Sequence, residues 1–229
     1  MTTTMAHRRS EMVKRQLAAR GIRGDRVLNA MKKVPRERFV PSGMQDLAYR
    51  DSALPIEADQ TISQPYVVAL MAEALEIQPR DRVLEVGAGS GYAAAVLSHL
   101  ADEVFAVERH DVLAEAADER MRALGLDNVH IRRADGTLGW EGGAPFNAIL
   151  VSAGGTELPP ALVEQLAPGG RLIIPLGEAG SVQELFLHRK DAEGRLSRET
   201  LGQVRFVPLV GAPSSGRQDA YEAVRQEPT

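Results

Sequence analysis

The apolar positions of this chain follow two rhythms, and the change between them falls near residue 80. Over residues 11–20 they recur at helical intervals, with Met12 and Leu17 facing inward and Gly21 as the stop. The first nine or so residues show no such period and are expected to fray. Asp25 is a good N-cap for a second helix over residues 26–34, which Pro35 ends. The stretch between Pro41 and Pro55 has little regular pattern and needs its own packing or a function. Helical spacing returns over residues 65–75 through Val67, Val68, Met71, Ala74 and Leu75. Pro65 lies in the first turn, where its missing N–H costs nothing.

Beyond residue 80, short β-branched runs alternate with helical segments. Strands are expected at residues 82–86, 104–107, 129–132, 147–151 and 171–174, and helices at 90–100, 111–124 and 160–166. Pro168-Gly169-Gly170 reads as the turn into the fifth strand. This alternation means βαβ units and a parallel sheet covered on both faces. Residues 184–188 and 205–210 are β-rich with no helix between them, and Asp191-Ala192-Glu193-Gly194 is a turn signal. An antiparallel hairpin closing the sheet edge is therefore expected. After Gly211 the composition is polar and irregular.

The sharpest local pattern is Val83-Leu84-Glu85-Val86-Gly87-Ala88-Gly89-Ser90-Gly91. A buried strand runs into three glycines and then a helix. Glycine permits positive φ and lets a ligand lie against bare backbone. The helix that follows offers free N–H groups and a positive dipole end. A tight turn with no ligand would use the same residues. The third glycine comes one residue earlier than in a dinucleotide fingerprint, and Tyr92 holds the later position. The acid Glu85 would repel a pyrophosphate and attract an ammonium or sulfonium cation.

Two more acids share this edge. Glu108 closes the next strand, where a carboxylate can accept both ribose hydroxyls; beside Arg109 it also fits a solvated surface position. Asp135-Gly136 follows the third strand, where a carboxylate can accept from an adenine amino group; an Asp-Gly turn is the alternative. All three acids fall at carboxyl ends of successive strands, where open α/β sheets bind ligands.

Composition narrows the partners. The 229 residues are 44% apolar, enough for a large core without staples. A net charge of −4 argues against a strong binder of phosphate backbones, so no nucleic-acid partner is expected. No apolar run approaches the ~18 residues needed to span a bilayer, and no apolar stretch follows the basic residues at the start. There are no cysteines, which excludes disulfides, zinc–thiolate sites and cysteine nucleophiles, and a cytoplasmic setting is compatible with that. The five histidines are scattered without ligand spacing, so no metal site is expected. Trp140 reads as a loop-packing aromatic, and Arg8-Arg9 with Lys14-Arg15 as a solvated basic face.

The glycine loop preceded by Glu85 resembles motif I of the class I S-adenosylmethionine-dependent methyltransferases. Further blocks narrow the resemblance: Val34-Pro35-Arg36-Glu37-Arg38-Phe39-Val40-Pro41, Gln60-Thr61-Ile62-Ser63-Gln64-Pro65-Tyr66, Pro168-Gly169-Gly170-Arg171 and Arg205-Phe206-Val207-Pro208-Leu209-Val210. From about Met12 to Val210 the chain resembles the protein-L-isoaspartate (D-aspartate) O-methyltransferase family, and residues 60–66 are the most specific element.

The resemblance implies a Rossmann-like, doubly wound, seven-stranded α/β sheet, mostly parallel, with an antiparallel C-terminal edge hairpin and an N-terminal helical extension. It implies one methyltransferase domain over residues 1–229: a helical substrate-cover region at 11–75, a core at 80–211, and loose tails at 1–10 and 212–229. The implied activity is methyl transfer from S-adenosyl-L-methionine to the α-carboxylate of L-isoaspartyl residues, with D-aspartyl residues as a second class. The expected partners are damaged proteins and peptides, met by a cytoplasmic monomer with no membrane contact.

By resemblance Ser63 is the active-site residue, a hydrogen-bond donor and positioner; read alone, the residue is a helix N-cap, the commoner use of such a serine, and the two roles are compatible. Thr61, Ile62, Ser63 and Tyr66 are implied to lie over the cofactor. Glu85, Gly87, Ala88, Gly89, Gly91, Glu108, Asp135 and Gly136 are implied to hold it. Phe206, Val207, Pro208 and Leu209 are implied to meet the substrate, and they also read as a strand edge able to pair with a peptide main chain. Two departures stand out. Asn147 replaces the usual Asp, and Ser152-Ala153-Gly154-Gly155 replaces a Thr-Ala-Ala run, which loosens a loop beside the site. Two rival readings share the fold: a methyltransferase for small carboxylic acids, and a non-catalytic adaptor that binds the cofactor.

Overall fold

The computed structural model describes residues 4–178 and 180–211, so the expected loose tails lie largely outside the described residues. The helical region opens with α1 (Met5–Met12), which runs through a wider turn (Val13–Leu17) to Gly21 at φ +101°. This start differs from the expected fraying. The Thr4 side chain accepts from the His7 N–H at 3.2 Å and caps the helix earlier than apolar periodicity alone would place it. Helix α2 (Asp25–Lys33) begins after Gly24 without a side-chain cap of its own. Asp25 is not the cap; Glu73 Oε1 accepts from the Arg23 and Gly24 amides at 2.7 and 2.6 Å instead. A small hairpin of β1 (Leu54–Pro55) and β2 (Thr61–Ile62) leads into α3 (Pro65–Ala74), which carries that Glu73.

The remaining strands are β3 (Arg82–Val86), β4 (Glu103–Glu108), β5 (Val129–Arg133), β6 (Phe146–Val151), β7 (Leu166–Leu176), β8 (Gln183–Lys190) and β9 (Leu196–Val204). Helices α4 (Tyr92–Ser98), α5 (Asp111–Leu124) and α6 (Pro160–Gln165) connect them. The sheet order is β5-β4-β3-β6-β7-β8-β9. Pairs from β5 to β7 are parallel, and β8 and β9 are antiparallel, as expected for this fold class.

Alternation along the central strands divides the core in two. Val83, Val104, Ala106, Ala148 and Leu150 join one apolar layer with the N-terminal helices and α4. Leu84, Val86, Phe105, Val107, Ile149 and Val151 join a second layer with Leu162 of α6. Burial on both faces explains why these strands read as continuous apolar runs. The N-terminal region is anchored to α4 through Arg36. Its side chain is fully buried, Nε donates to the Ala48 carbonyl at 2.8 Å, and its guanidinium lies 4.8 Å from the Tyr92 ring centre.

The edge hairpin forms one strand earlier than the sequence suggested. The partner of β8 is Leu196–Val204, not residues 205–210. That strand has a single neighbour and is mostly exposed, so it needs no apolar pattern. Pro168-Gly169-Gly170 lies within β7, where the pairing to β6 shifts register between Phe146 and Ala148 and Gly169 takes φ +74°. Asn147 Oδ1 accepts from the Arg82 amide at 2.9 Å, a role an aspartate could also fill. Among the described residues, no helix is long and apolar enough to cross a membrane.

Candidate active site

The chain steps from β3 outward to β4 and β5, then returns to the other side of β3 as β6. That reversal leaves a crevice beyond the carboxyl ends of β3 and β6, where such sheets bind ligands. The glycine loop sits there. Gly87, Gly89 and Gly91 have φ of +84°, +53° and +87°. The Gly87 and Ala88 amides both donate to the Val107 carbonyl, at 2.8 and 3.1 Å, which ties the loop to β4.

Loop and β4 are also joined through Glu108. Its Oε2 accepts from the Gly89 amide at 2.8 Å and its Oε1 from the His110 amide at 2.9 Å. The carboxylate is 5% exposed, and each oxygen keeps a further lone pair for a hydroxyl donor. Gly89, Glu108, Arg109, His110 and Gly136 line a cavity of about 240 Å³ together with Thr61 and Leu209.

Glu85 lies deeper. It is 1% exposed; Oε1 accepts from the Ser152 hydroxyl at 3.2 Å, and Oε2 is buried without a hydrogen-bond partner. Burial pushes its carboxyl up to about 8, the Ser152 hydroxyl and the Ala94 main chain oppose the shift, and the Glu108 charge adds to it. An orphaned buried carboxyl oxygen is costly unless something cationic or donating arrives beside it.

The β1–β2 hairpin carries the Thr61–Tyr66 segment over this loop. Ser63 lines a cleft of about 450 Å³ with Gln64, Ser152, Arg205, Phe206 and Val207. It also lines a small hollow with Glu85, Gly87, Gly89 and Ser152. Two readings of Ser63 were open, and the geometry separates them. The N-cap of α3 is Gln64, with no side-chain capping bond, so Ser63 is not the cap. Thr61 borders all three spaces, and Ile62 and Ala88 border the small hollow.

The other expected residues divide between the cavity and packing roles. Tyr66 stacks under the Arg20 guanidinium at 3.7 Å and lines none of these spaces. At Gly91 a Cβ would come 2.9 Å from Met121 Cε and 3.1 Å from Ala117 Cβ, so this glycine serves the packing of α5. Asp135 Oδ1 accepts from the Thr137 amide and hydroxyl at 2.9 and 2.7 Å, while Gly136 reaches the cavity wall. Trp140 packs edge-on against Phe105 at 5.3 Å, a loop-packing role.

Phe206 and Val207 wall the larger cleft, and Val207, Pro208 and Leu209 wall the cavity beside the glycine loop. Much of this main chain is already engaged. The Gly154 amide donates to Val207 O, and the Leu209 amide donates to Gly154 O, both at 2.8 Å. The glycines at 154 and 155 do not loosen the loop. Gly155 donates to Pro175 O at 3.0 Å, and a Cβ there would meet Glu157 O at 2.9 Å. Ser152, which borders all three spaces, escaped notice as a site residue; its place just beyond β6, at the sheet reversal, was the available signal.

Comparison with known proteins gives a consistent result. The family model for Protein-L-isoaspartate(D-aspartate) O-methyltransferase (PCMT) matches residues 7–214. The chain is 55% identical over 201 residues to a protein-L-isoaspartate O-methyltransferase of Rhodopseudomonas palustris, covering 88% of this chain and 92% of that one. It is 56% identical over 205 residues to one of Methylorubrum extorquens, covering 90% and 89%. A solved protein-L-isoaspartate O-methyltransferase superposes with TM-score 0.79 at 31% identity, over 88% of this chain and 66% of that longer one. A Plasmodium falciparum protein solved with S-adenosyl-L-homocysteine superposes with TM-score 0.75 at 28% identity, covering 88% and 98%.

Proposed function

Since this chain belongs to the protein-L-isoaspartate (D-aspartate) O-methyltransferase family, we propose that it methylates the α-carboxylate of isoaspartyl residues in damaged proteins, with Ser63 positioning that carboxylate. The observation that carries the reading is the placement of Ser63. Ser63 borders both the open cleft and the hollow lined by Glu85, and it has no capping duty.

The residues present fit S-adenosylmethionine, which supplies an electrophilic methyl group on a sulfonium. Glu85 offers a buried, unpartnered oxygen suited to an ammonium cation. Glu108 is held by two amides with lone pairs left for ribose hydroxyls. Gly87 and Gly89 leave bare backbone beneath, where the nearest atom to an added Cβ lies 3.7 Å away in each case. Thr61, Ile62, Ala88 and Gly136 complete the walls, and Asp135 supports the adenine end by holding the turn that carries Gly136.

The nucleophile is the substrate's own carboxylate, ionised at neutral pH, so no strong base is needed. What the chain must supply is position and exclusion of water. A hydroxyl suits this task because the reaction consumes a cation and an anion; a lysine or arginine in its place would stabilise the carboxylate before transfer. The Phe206–Leu209 segment lies between the two spaces and is the substrate-side wall. A test is to supply labelled cofactor and an isoaspartyl peptide. Label recovered as a base-labile ester supports the reading; label on a side-chain nitrogen, or none, overturns it.

A further inference from the structure

We propose that Gln183 is a positioning residue for the peptide substrate, because its buried carboxamide sets the substrate-side wall at Phe206. This rests on the reading of the Phe206–Leu209 segment given above. The β8–β9 ladder ends at the pair Gln183↔Val204. Beyond that pair the chain leaves the sheet, and residues 205–209 turn across the site. The side chain of Gln183 continues the ladder where the main chain stops. Its Oε1 accepts from the Phe206 amide at 2.8 Å, and its Nε2 donates to the Phe206 carbonyl at 3.3 Å. One carboxamide thus satisfies both main-chain groups of one residue, as a neighbouring strand would.

The residue is otherwise hard to explain. Gln183 is 1% exposed, and a buried amide is costly unless its bonds are made. Space for it is cut into the opposite loop, since a Cβ at Gly154 would fall 2.9 Å from Gln183 Nε2. Gly154 itself bonds Val207 and Leu209, so the segment is held in two places by different means. The Gly154 bonds fix its half beside the glycine loop. Gln183 fixes Phe206, on the wall of the cleft shared with Ser63. Loss of the clamp should therefore weaken peptide binding and spare the cofactor.

Two substitutions and one exchange measurement test this. With saturating cofactor, Gln183→Leu should raise KM for an isoaspartyl peptide roughly fivefold to tenfold, the worth of one or two neutral hydrogen bonds, with kcat within about twofold. The Kd of S-adenosyl-L-homocysteine should move by less than about threefold. Gln183→Glu should restore the clamp only when protonated, because the acid form can donate to the Phe206 carbonyl and the carboxylate cannot. Its KM should lie near the parent's at low pH and rise with pH relative to the parent. Hydrogen exchange should show the Phe206 amide protected in the parent and freed in Gln183→Leu. An active enzyme whose KM is unchanged by both substitutions overturns the clamp, as does equal loss of cofactor affinity. A parent inactive on the peptide overturns the proposed function instead; the clamp then stands or falls on the Phe206 amide alone.

Discussion

The Ser152 hydroxyl donates to Glu85 Oε1 at 3.2 Å across the reversal point of the sheet, while Glu85 Oε2 is buried with no hydrogen-bond partner. One oxygen is held by the protein and the other is left for a ligand. Burial raises the carboxyl pKa to near 8 against the Ser152 hydrogen bond and gives the cofactor end of the site a measurable pH signature.

The first consequence concerns stability without ligand. Burial raises the Glu85 pKa from 4.5 to about 8, so the folded protein binds a proton that the unfolded chain has released. That contribution is complete below about pH 4.5 and is lost as pH rises through about 8. The ligand-free parent should lose a few kcal/mol over this range from this residue. Glu85→Gln removes the titration. Denaturation midpoints should show the variant level with the parent near pH 5 and more stable at pH 8.5; parallel pH profiles would count against this.

The same group links binding to protons. A cation beside Glu85 favours the carboxylate, so the cofactor must displace the proton held at neutral pH. Affinity for S-adenosyl-L-homocysteine should rise with pH below about 8, by up to about tenfold per unit, with a proton released. Calorimetry in two buffers of different ionisation enthalpy reads the proton directly. Glu85→Gln should bind more weakly and release none.

Two glycines of one loop should fail differently. Gly91→Ala places a Cβ 2.9 Å from Met121 Cε at φ +87°, which should cost roughly 1–3 kcal/mol of stability. Gly89→Val meets no protein atom within 3.7 Å at its Cβ but fills the ligand's space. Both changes strain a positive φ, +53° at Gly89 and +87° at Gly91, so thermal melts should fall for each, while calorimetry on the folded fraction should single out Gly89→Val by its lost cofactor affinity.

The contrast between these glycines marks how far the sequence alone could go. The positions of the central strands and the glycine loop followed from apolar runs and the glycines that close β3, because those patterns are local. The partner of β8 did not follow, because β9 is an exposed edge whose polar composition carries little strand signal. Gln183 was also hidden, and so was the contact of Ser152 with Glu85, since each acts on a residue distant in sequence. Tyr66 was expected over the cofactor; its ring lies instead against Arg20 from the N-terminal helical region, a contact that residue spacing does not encode.

Ser63 should act on turnover. The residue borders the cleft and the hollow without capping α3, so Ser63→Ala should leave folding and cofactor Kd near parental values. Loss of one positioning hydrogen bond to a charged oxygen should lower kcat by roughly tenfold to a hundredfold. Turnover lowered to that extent with unchanged calorimetry supports this; a weakened cofactor with unchanged kcat at saturation does not.

The central claim is substrate identity, and one comparison reaches it most directly. Two peptides of identical composition are offered with labelled S-adenosyl-L-methionine, one with an isoaspartyl linkage and one with the normal aspartyl linkage. The account predicts label in the isoaspartyl peptide, with kcat/KM at least about a hundredfold above its twin, a gap of about 2.7 kcal/mol in transition-state binding. Equal labelling of both peptides, or labelling of small carboxylic acids with neither peptide modified, would contradict it.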